Sequence, residues 1–297
     1  MSNPLTDFSN GLTSAVEKGG AGTVLVDARK RYPASGIAYS EDLVLTADHV
    51  VTREEIKVLL QDGKSLSATV AGRDPGSDLA LLRLPEKALK AGKTSSDVKI
   101  GQLVLALGRP NTAGMQASWG IVTAIAGPAR THRGGLLEEY IQTETTPYPG
   151  FSGGPLVNTE GDVLGLNTSG LTPGSSLTIP VKVAWRIADE LAKHGSVKRG
   201  YLGVRTQPVE IPEAARKNLK REQKSGLLVL WLEENGPAQK GGLFVGDTLI
   251  AVAGQSVSDP DDLFSALSSD TVGNAVVVEV LRGGKPENVN VTVGERK

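Results

Sequence analysis

At 297 residues the chain exceeds one small domain, and two units of roughly 100–200 residues are the natural division. A hydrophobic content of 39%, a charged content of 22% and a net charge of −1 exclude a disordered chain and give no basic excess for gripping a phosphate backbone, so nucleic acid is not an expected partner. The absence of cysteine removes disulfide frameworks, thiol catalysis and cysteine-based zinc sites, while 36 glycines beside 4% aromatics favour short strands and tight turns.

The opening stretch MSNPLTDFSNGLTSAVEKGG lacks the basic start and apolar run of a signal peptide. Nothing later reaches the ~18 apolar residues that span a bilayer, so no membrane span is expected. A helix is expected over 8–18. GGAGTVLV, which follows, is not a phosphate loop, because it lacks the Gly-Lys-Ser/Thr ending. From Thr23 to about Pro180 come short Val-, Leu-, Ile-, Ala- and Thr-rich runs punctuated by turn residues: TVLVD, SGIAYS, LVLTA, IKVLL, LALLRL, LVLALG, SWGIVTAIA, YIQTE, PLVN, DVLGLNT and SLTIP. About a dozen strands without intervening helices point to barrels or sandwiches rather than βαβ units. Val183, Ile187 and Leu191 recur at four-residue spacing, which predicts a helix over 181–193.

The polar bridge HGSVKRGYLGV then places a domain boundary near Lys198. Beyond it YLGVRT, GLLVLWLEE, DTLIAVAG, AVVVEVLR and VNVTV read as strands, and PEAARKNL and NGPAQKGGL hold short helical turns. A helix over 259–268 starts at Asp259, with Pro260 in its first turn and acidic residues beside the open amides. This second unit is α+β.

Around Ser152 the letters Gly-Phe-Ser-Gly-Gly-Pro-Leu satisfy two patterns at once. The G-x-S-x-G elbow of an esterase requires a helix after the serine and a later histidine. Here PLVN, a TEG turn and DVLGLNT form a hairpin signature instead, and the only later histidine, His194, sits at a helix end, where a solvated cation explains it. The chymotrypsin order of His, Asp, Ser fits better: His49 follows a strand, Asp78 heads another, and Ser152 comes third. Asp74 competes for the acid role, but Asp74-Pro75-Gly76 is a turn opener.

With LTADHV, SDLALLRL, PGFSGGPLVN, GDVLGLNT and LTIPV in that order, residues from about 22 to 195 resemble the HtrA/Deg family of trypsin-like serine proteases. RGYLGV, GPAQKGGLFVGDTLIAVAGQSV, DLFSAL and AVVVEVLRGG, over about 199–295, resemble the PDZ domain of the same family. The resemblance implies a mainly β fold, a chymotrypsin-like double β-barrel followed by a smaller α+β PDZ domain. The expected divisions are an N-terminal segment 1–21, a protease domain 22–197 and a PDZ domain 198–297.

It also implies roles. Ser152 is the nucleophile, His49 the base, Asp78 the orienting acid, and the amides of Gly150 and Ser152 form the oxyanion hole. Thr146, six residues before the nucleophile, would lie at the base of the primary pocket and disfavour Lys or Arg there. Leu166, Asn167, Thr168 and Ser169 would run beside the pocket and pair with substrate backbone. In the second domain the loop Tyr201-Leu202-Gly203-Val204 would receive a peptide carboxylate, with Leu202, Val204, Leu263 and Leu267 lining a groove.

The expected substrates are unfolded or damaged proteins, with peptide C-termini or extended segments at the PDZ domain. No cofactor and no metal are expected, the three histidines at 49, 132 and 194 being scattered. His132 lies in a loop that corresponds to a regulatory loop of the family. The family commonly forms a homotrimer through the protease domain, to which Phe8 could contribute. Location would be cytoplasmic if Met1 is the native start, and otherwise periplasmic or extracytoplasmic, as is usual for the family. The alternative function is a latent protease acting as a PDZ scaffold or holdase. Two departures bear on that alternative: Phe151 where relatives usually carry Asn, and Asp48 where they carry Ala or Asn.

Overall fold

The computed structural model describes residues 3–131, 135–172, 175–219, 221–267 and 271–295. The chain divides into two compact units, Met1–Val197 and Lys198–Lys297.

The first unit opens with α1 (Pro4–Gly20), longer than the expected 8–18 because Asn3 caps it, accepting from the Leu5 amide at 3.0 Å, and Pro4 suits the first turn. Its buried Ala15, Gly19 and Gly20 let it lie close against the strands below. Six strands follow: β1 (Thr23–Asp27), β2 (Ala34–Ala38), β3 (Leu43–Ala47), β4 (Ile56–Leu59), β5 (Ser65–Asp74) and β6 (Leu79–Arg83). They close into a barrel in the order β1-β2-β3-β6-β5-β4. Val24, Val26, Val44, Val58, Ala80 and Leu82 fill it.

A second barrel takes β7 (Leu103–Asn111) and β8 (Gly114–Ala126), then, after the short pair β9 (Ala129–Arg130) and β10 (Leu136–Leu137), it takes β11 (Tyr140–Thr143), β12 (Pro155–Asn158), β13 (Val163–Thr172) and β14 (Ser175–Pro180). Its order is β11-β14-β13-β12-β7-β8. Between the barrels Ile37, Leu45, Leu79 and Leu81 pack on Leu107, Leu166 and Ile179, and α2 (Val181–His194) adds Val183, Ile187 and Leu191 to the same core. The four-residue spacing therefore marks the buried face of α2, which ends at Gly195 in a left-handed cap. Strands buried on both faces read as unbroken apolar runs, as in LALLR of β6.

In the second unit β15 (Gly200–Tyr201) pairs with β22 (Gly294–Glu295). A sheet is built from β16 (Val204–Glu210), β17 (Ser225–Leu232), β18 (Thr248–Val252), β20 (Ala275–Arg282) and β21 (Lys285–Thr292), with β19 (Gln255–Ser256) on β18. Three short helices, α3 (Glu213–Arg216), α4 (Pro237–Lys240) and α5 (Pro260–Ala266), complete it. Asp259 and Asp262 form a capping box at the start of α5. The strand β16 is an edge of the sheet, bonded on one side to β17. The first unit is built of two β-barrels and the second sets three short helices beside a sheet, a mainly β chain overall, in agreement with the fold expected from the sequence.

Candidate active site

His49 and Asp78 come from adjacent strand ends of the first barrel. β3 and β6 pair from Leu43↔Arg83 to Ala47↔Leu79, so the chain leaving β3 and the chain entering β6 emerge side by side. His49 lies in a one-turn 3-10 helix, Asp48–Val50, directly after β3. Asp78 precedes β6 with φ 57°, a left-handed conformation that Asp tolerates better than most residues. That geometry turns its carboxylate toward His49: Oδ2 lies 2.8 Å from His49 Nδ1, and Oδ1 accepts the His49 amide at 2.8 Å. Asp78 is fully buried. Burial pushes its carboxyl up, but the hydrogen bond and charge of His49, the Thr168 hydroxyl and the His49 amide together hold it below the ordinary aspartate value. An ionised Asp78 fixes the proton on Nδ1 and leaves Nε2 as the free base.

Asp48 turns away from this pair. It is buried, and its Oδ1 accepts from Arg73 Nε at 2.6 Å while Arg73 Nη2 donates to its carbonyl at 3.2 Å. Its charge faces Arg73. Asp74 accepts from the amides of Gly76 and Ser77, each at 3.2 Å, which makes it the turn residue the sequence suggested.

Ser152 stands in the turn between β11 and β12. Gly150 has φ 90°, and a Cβ there would lie 2.4 Å from Pro110 Cβ and 2.9 Å from the Pro33 carbonyl, so both the turn and its packing require glycine. The Gly150 carbonyl is drawn toward the first barrel, where Ser35 Oγ donates to it at 2.7 Å and the Ser35 amide donates to the Ser152 carbonyl at 3.1 Å. Among the described residues the amides of Gly150 and Ser152 meet no acceptor, which is the state an oxyanion pocket needs. Phe151 points the other way. It is 2% exposed, packs with Val104, Ala106, Ile141 and Leu156 in the second barrel, and meets Tyr148 edge to face at 5.4 Å.

The hydrogen bond at Ser152 Oγ runs to Ser169 Oγ at 3.1 Å, not to His49. Rotation about a serine χ1 is a low-barrier, staggered-to-staggered change that redirects the hydroxyl. A cleft of about 360 Å³ is lined by Arg29, Arg31 and Tyr32, by residues 147–152, and by Ser169 and Ser176.

The substrate-binding residues expected from the sequence fall into different places. Thr146 is exposed, its amide donates to Ser118 Oγ at 2.7 Å, and the cleft wall begins one residue later. Leu166 is fully buried in the core between the barrels. Asn167 braces the Ser152 turn, its carbonyl accepting the Gly153 amide at 2.8 Å and its own amide donating to the Gly154 carbonyl at 2.8 Å. Thr168 donates to Asp78 Oδ2. Ser169 alone of the four reaches the cleft.

Two residues escaped the sequence reading. One is Ser35, and the other is Gly170, where a Cβ would sit 2.3 Å from Asp78 Oδ2 and 2.4 Å from His49 Nδ1. The visible signal was the polar run Asn-Thr-Ser inside an otherwise apolar strand. His132 lies outside the described residues; Thr131, the residue before it, donates its Oγ1 to the Gly76 carbonyl at 2.8 Å, in the turn before Asp78.

In the second unit Leu202, Leu263 and Leu267 belong to the buried core, so they form a floor rather than an open lining. Val204 is half-buried at the head of β16, and α5 lies against that strand. Gly203 has φ 75°, and Tyr201 donates its hydroxyl to Glu233 at 2.7 Å. The amides of Leu202 and Gly203 make no hydrogen bond among the described residues. No cluster of His, Asp and Glu suited to a metal ion occurs among the described residues.

Residues 34–166 match the trypsin-like peptidase domain family, and residues 200–293 match the PDZ domain family. A probable periplasmic serine endoprotease, DegP-like, of Halomonas elongata is 38% identical over 275 residues, covering 90% of this chain and 57% of that protein. Its namesake of Pseudomonas fluorescens is 39% identical over 270 residues, covering 88% and 56%. The chain thus spans a little over half the length of the curated relatives it matches. Among solved structures, the HtrA-type protease AlgW with tripeptide superposes with a TM-score of 0.81 at 30% identity, over 96% of this chain and 97% of that one. The serine endoprotease from Yersinia pestis gives 0.78 at 28%, over 96% and 98%.

Proposed function

The chain belongs to the HtrA-type trypsin-like serine proteases, and on that footing we propose that it is a serine endopeptidase acting on unfolded or damaged proteins, with a PDZ domain that holds peptide C-termini or extended segments. The observation that carries the reading is the buried Asp78 carboxylate on His49 Nδ1, beside a turn whose Gly150 and Ser152 amides are open.

Ser152 Oγ leaves Ser169, gives its proton to His49 Nε2 and attacks the peptide carbonyl. The Gly150 and Ser152 amides take the oxyanion, and Asp78 stabilises the imidazolium. His49 returns the proton to the leaving amine, and water repeats the cycle on the acyl-enzyme. The carboxylate of Asp78 stays ionised throughout, because Thr168 and the His49 amide also bond to it.

At the PDZ domain, the edge of β16 and the open Leu202 and Gly203 amides suit an extended peptide ending in a carboxylate. An extracytoplasmic location accords with the periplasmic naming of the relatives, and a homotrimer with the habit of the family.

Casein digestion tests the proposal. Cleavage should be seen with the wild type and vanish in Ser152→Ala. A folded chain that neither cleaves casein nor accepts a fluorophosphonate at Ser152 would favour the latent-scaffold alternative instead.

A further inference from the structure

A cavity of about 410 Å³ lies between α1, the turn after β4 and the β7–β8 hairpin, walled by Val16, Glu17, Gln61, Arg109 and Met115 together with two glycines. Its volume is in the range of small-molecule sites. Arg109 stands where the register of β7 on β8 shifts between Gly108 and Asn111, an irregularity of the kind that re-aims side chains.

The residue is only 7% exposed. Its Nε and Nη1 are buried and meet no acceptor among the described residues. A guanidinium keeps its proton at any ordinary pH, and a buried charge without a counter-charge is strongly unfavourable. Glu17, on the same wall, is exposed and makes no ion pair with it among the described residues. The Gln61 amide nitrogen gives one of its two hydrogens to the Gly20 carbonyl.

These features select the ligand. A planar carboxylate matches the edge that Nη2 forms with Nε or with Nη1, either of which is open here. Glu17 opposes a second negative charge, which disfavours phosphate dianions, and Val16 and Met115 offer apolar wall to an aliphatic tail. The strand that carries Arg109 also reaches the nucleophile turn. The Arg109 amide donates to Ser35 Oγ at 2.8 Å, Ser35 Oγ donates to the Gly150 carbonyl at 2.7 Å, and Pro110 packs on Gly150.

We propose that this cavity binds a monocarboxylate with a short aliphatic chain through Arg109, and that its occupancy is felt at Gly150. The second half rests on the protease reading of the Ser152 turn, whereas the first does not. The same chemistry is offered by a free short-chain acid and by the C-terminal residue of a peptide.

The chain has two methionines, Met1 and Met115, so methyl-labelled methionine gives one interior probe, in this cavity and absent from the PDZ domain. Hexanoate or N-acetylvaline added to the full chain should shift the Met115 methyl resonance saturably, and the tighter of the two identifies the source. Hexanamide and N-acetylvalinamide, equal in shape but neutral, should bind at least about tenfold more weakly, as should the acids to Arg109→Gln. Glu17→Gln should bind the acids as tightly or more so.

Equal response to acid and amide, an undiminished response in Arg109→Gln, or no shift at millimolar acid overturns the site. The acid–amide comparison needs no variant, so a folding defect in Arg109→Gln leaves the test intact. The rate of fluorophosphonate labelling at Ser152 reads the coupling. A changed rate at saturating acid supports it, and an unchanged rate beside a saturated Met115 shift overturns the coupling alone. A chain that never labels marks failure of the protease reading instead.

Discussion

Gly108→Ala should damage the nucleophile turn from behind, through Phe151. An ideal Cβ at Gly108 lies 2.5 Å from Phe151 Cδ1 and 3.0 Å from Cε1 and Cγ, whereas carbon atoms rest at about 3.5–4.0 Å. The ring cannot step aside, being 2% exposed among Val104, Ala106, Ile141 and Leu156. Overpacking of this kind costs about 1–3 kcal/mol. Phe151→Ala alone should cost about 3–5 kcal/mol, from lost burial and the cavity left behind. In the double variant the alanine methyl enters space the ring has vacated, so the two changes should couple favourably by about 1–3 kcal/mol. Phe151 is flanked by the two open amides, so a displaced ring also displaces the oxyanion pocket. Loss of one such donor costs about 10²–10³ in kcat, and Gly108→Ala should lose about tenfold to a hundredfold with KM little changed. Denaturant unfolding of the protease domain and peptide kinetics on wild type, both single variants and the double variant give all the terms. Wild-type activity in Gly108→Ala, or strict additivity in the double variant, would refute the assignment of Phe151 as the anchor of the turn.

Gly170→Ala drives a methyl between Asp78 and His49 and should lower kcat by about 10²–10⁴, approaching the loss expected when the orienting acid is removed; unaltered kinetics would contradict the placement of β13 over the pair. Arg73→Met removes one partner of the buried Asp48 carboxylate and, the Arg73 end of the pair being exposed, should destabilise the protease domain by about 1–2 kcal/mol in a urea titration. Because the Asp78 carboxyl is held below its ordinary value, it contributes stability that is fully present above the ordinary aspartate pKa and is lost as the pH falls through its folded value. Unfolding followed from neutral to strongly acidic pH should therefore show a shallower acid loss in Asp78→Asn than in the wild type.

The strands and the order His49, Asp78, Ser152 were legible because they rest on local features: apolar runs between turn residues, and a nucleophile followed by Gly-Gly-Pro and a hairpin. Fold class followed from the same features. The partnerships that complete the site were not, because each joins distant parts of the chain. Thr168 reaches Asp78 across 90 residues and Ser35 reaches Gly150 across 115, distances at which only the closed barrels bring them together. The family resemblance sets Leu166 beside the pocket, yet strand alternation sends it into the core between the barrels while Ser169 faces the cleft. Residue type alone gave Phe151 and Asp48 no direction. The structure buries the first in the second barrel and pairs the second with Arg73, so neither side chain enters the hydrogen bonds between Asp78 and His49.

The most direct test of the triad is the rate at which a fluorophosphonate modifies the folded 297-residue chain, with the adduct mapped by peptide mass and compared with His49→Ala. A single adduct on Ser152 is expected in the wild type, with a loss of several orders of magnitude in rate without His49. An unmodified Ser152 in folded protein, or a labelling rate indifferent to His49, would contradict it.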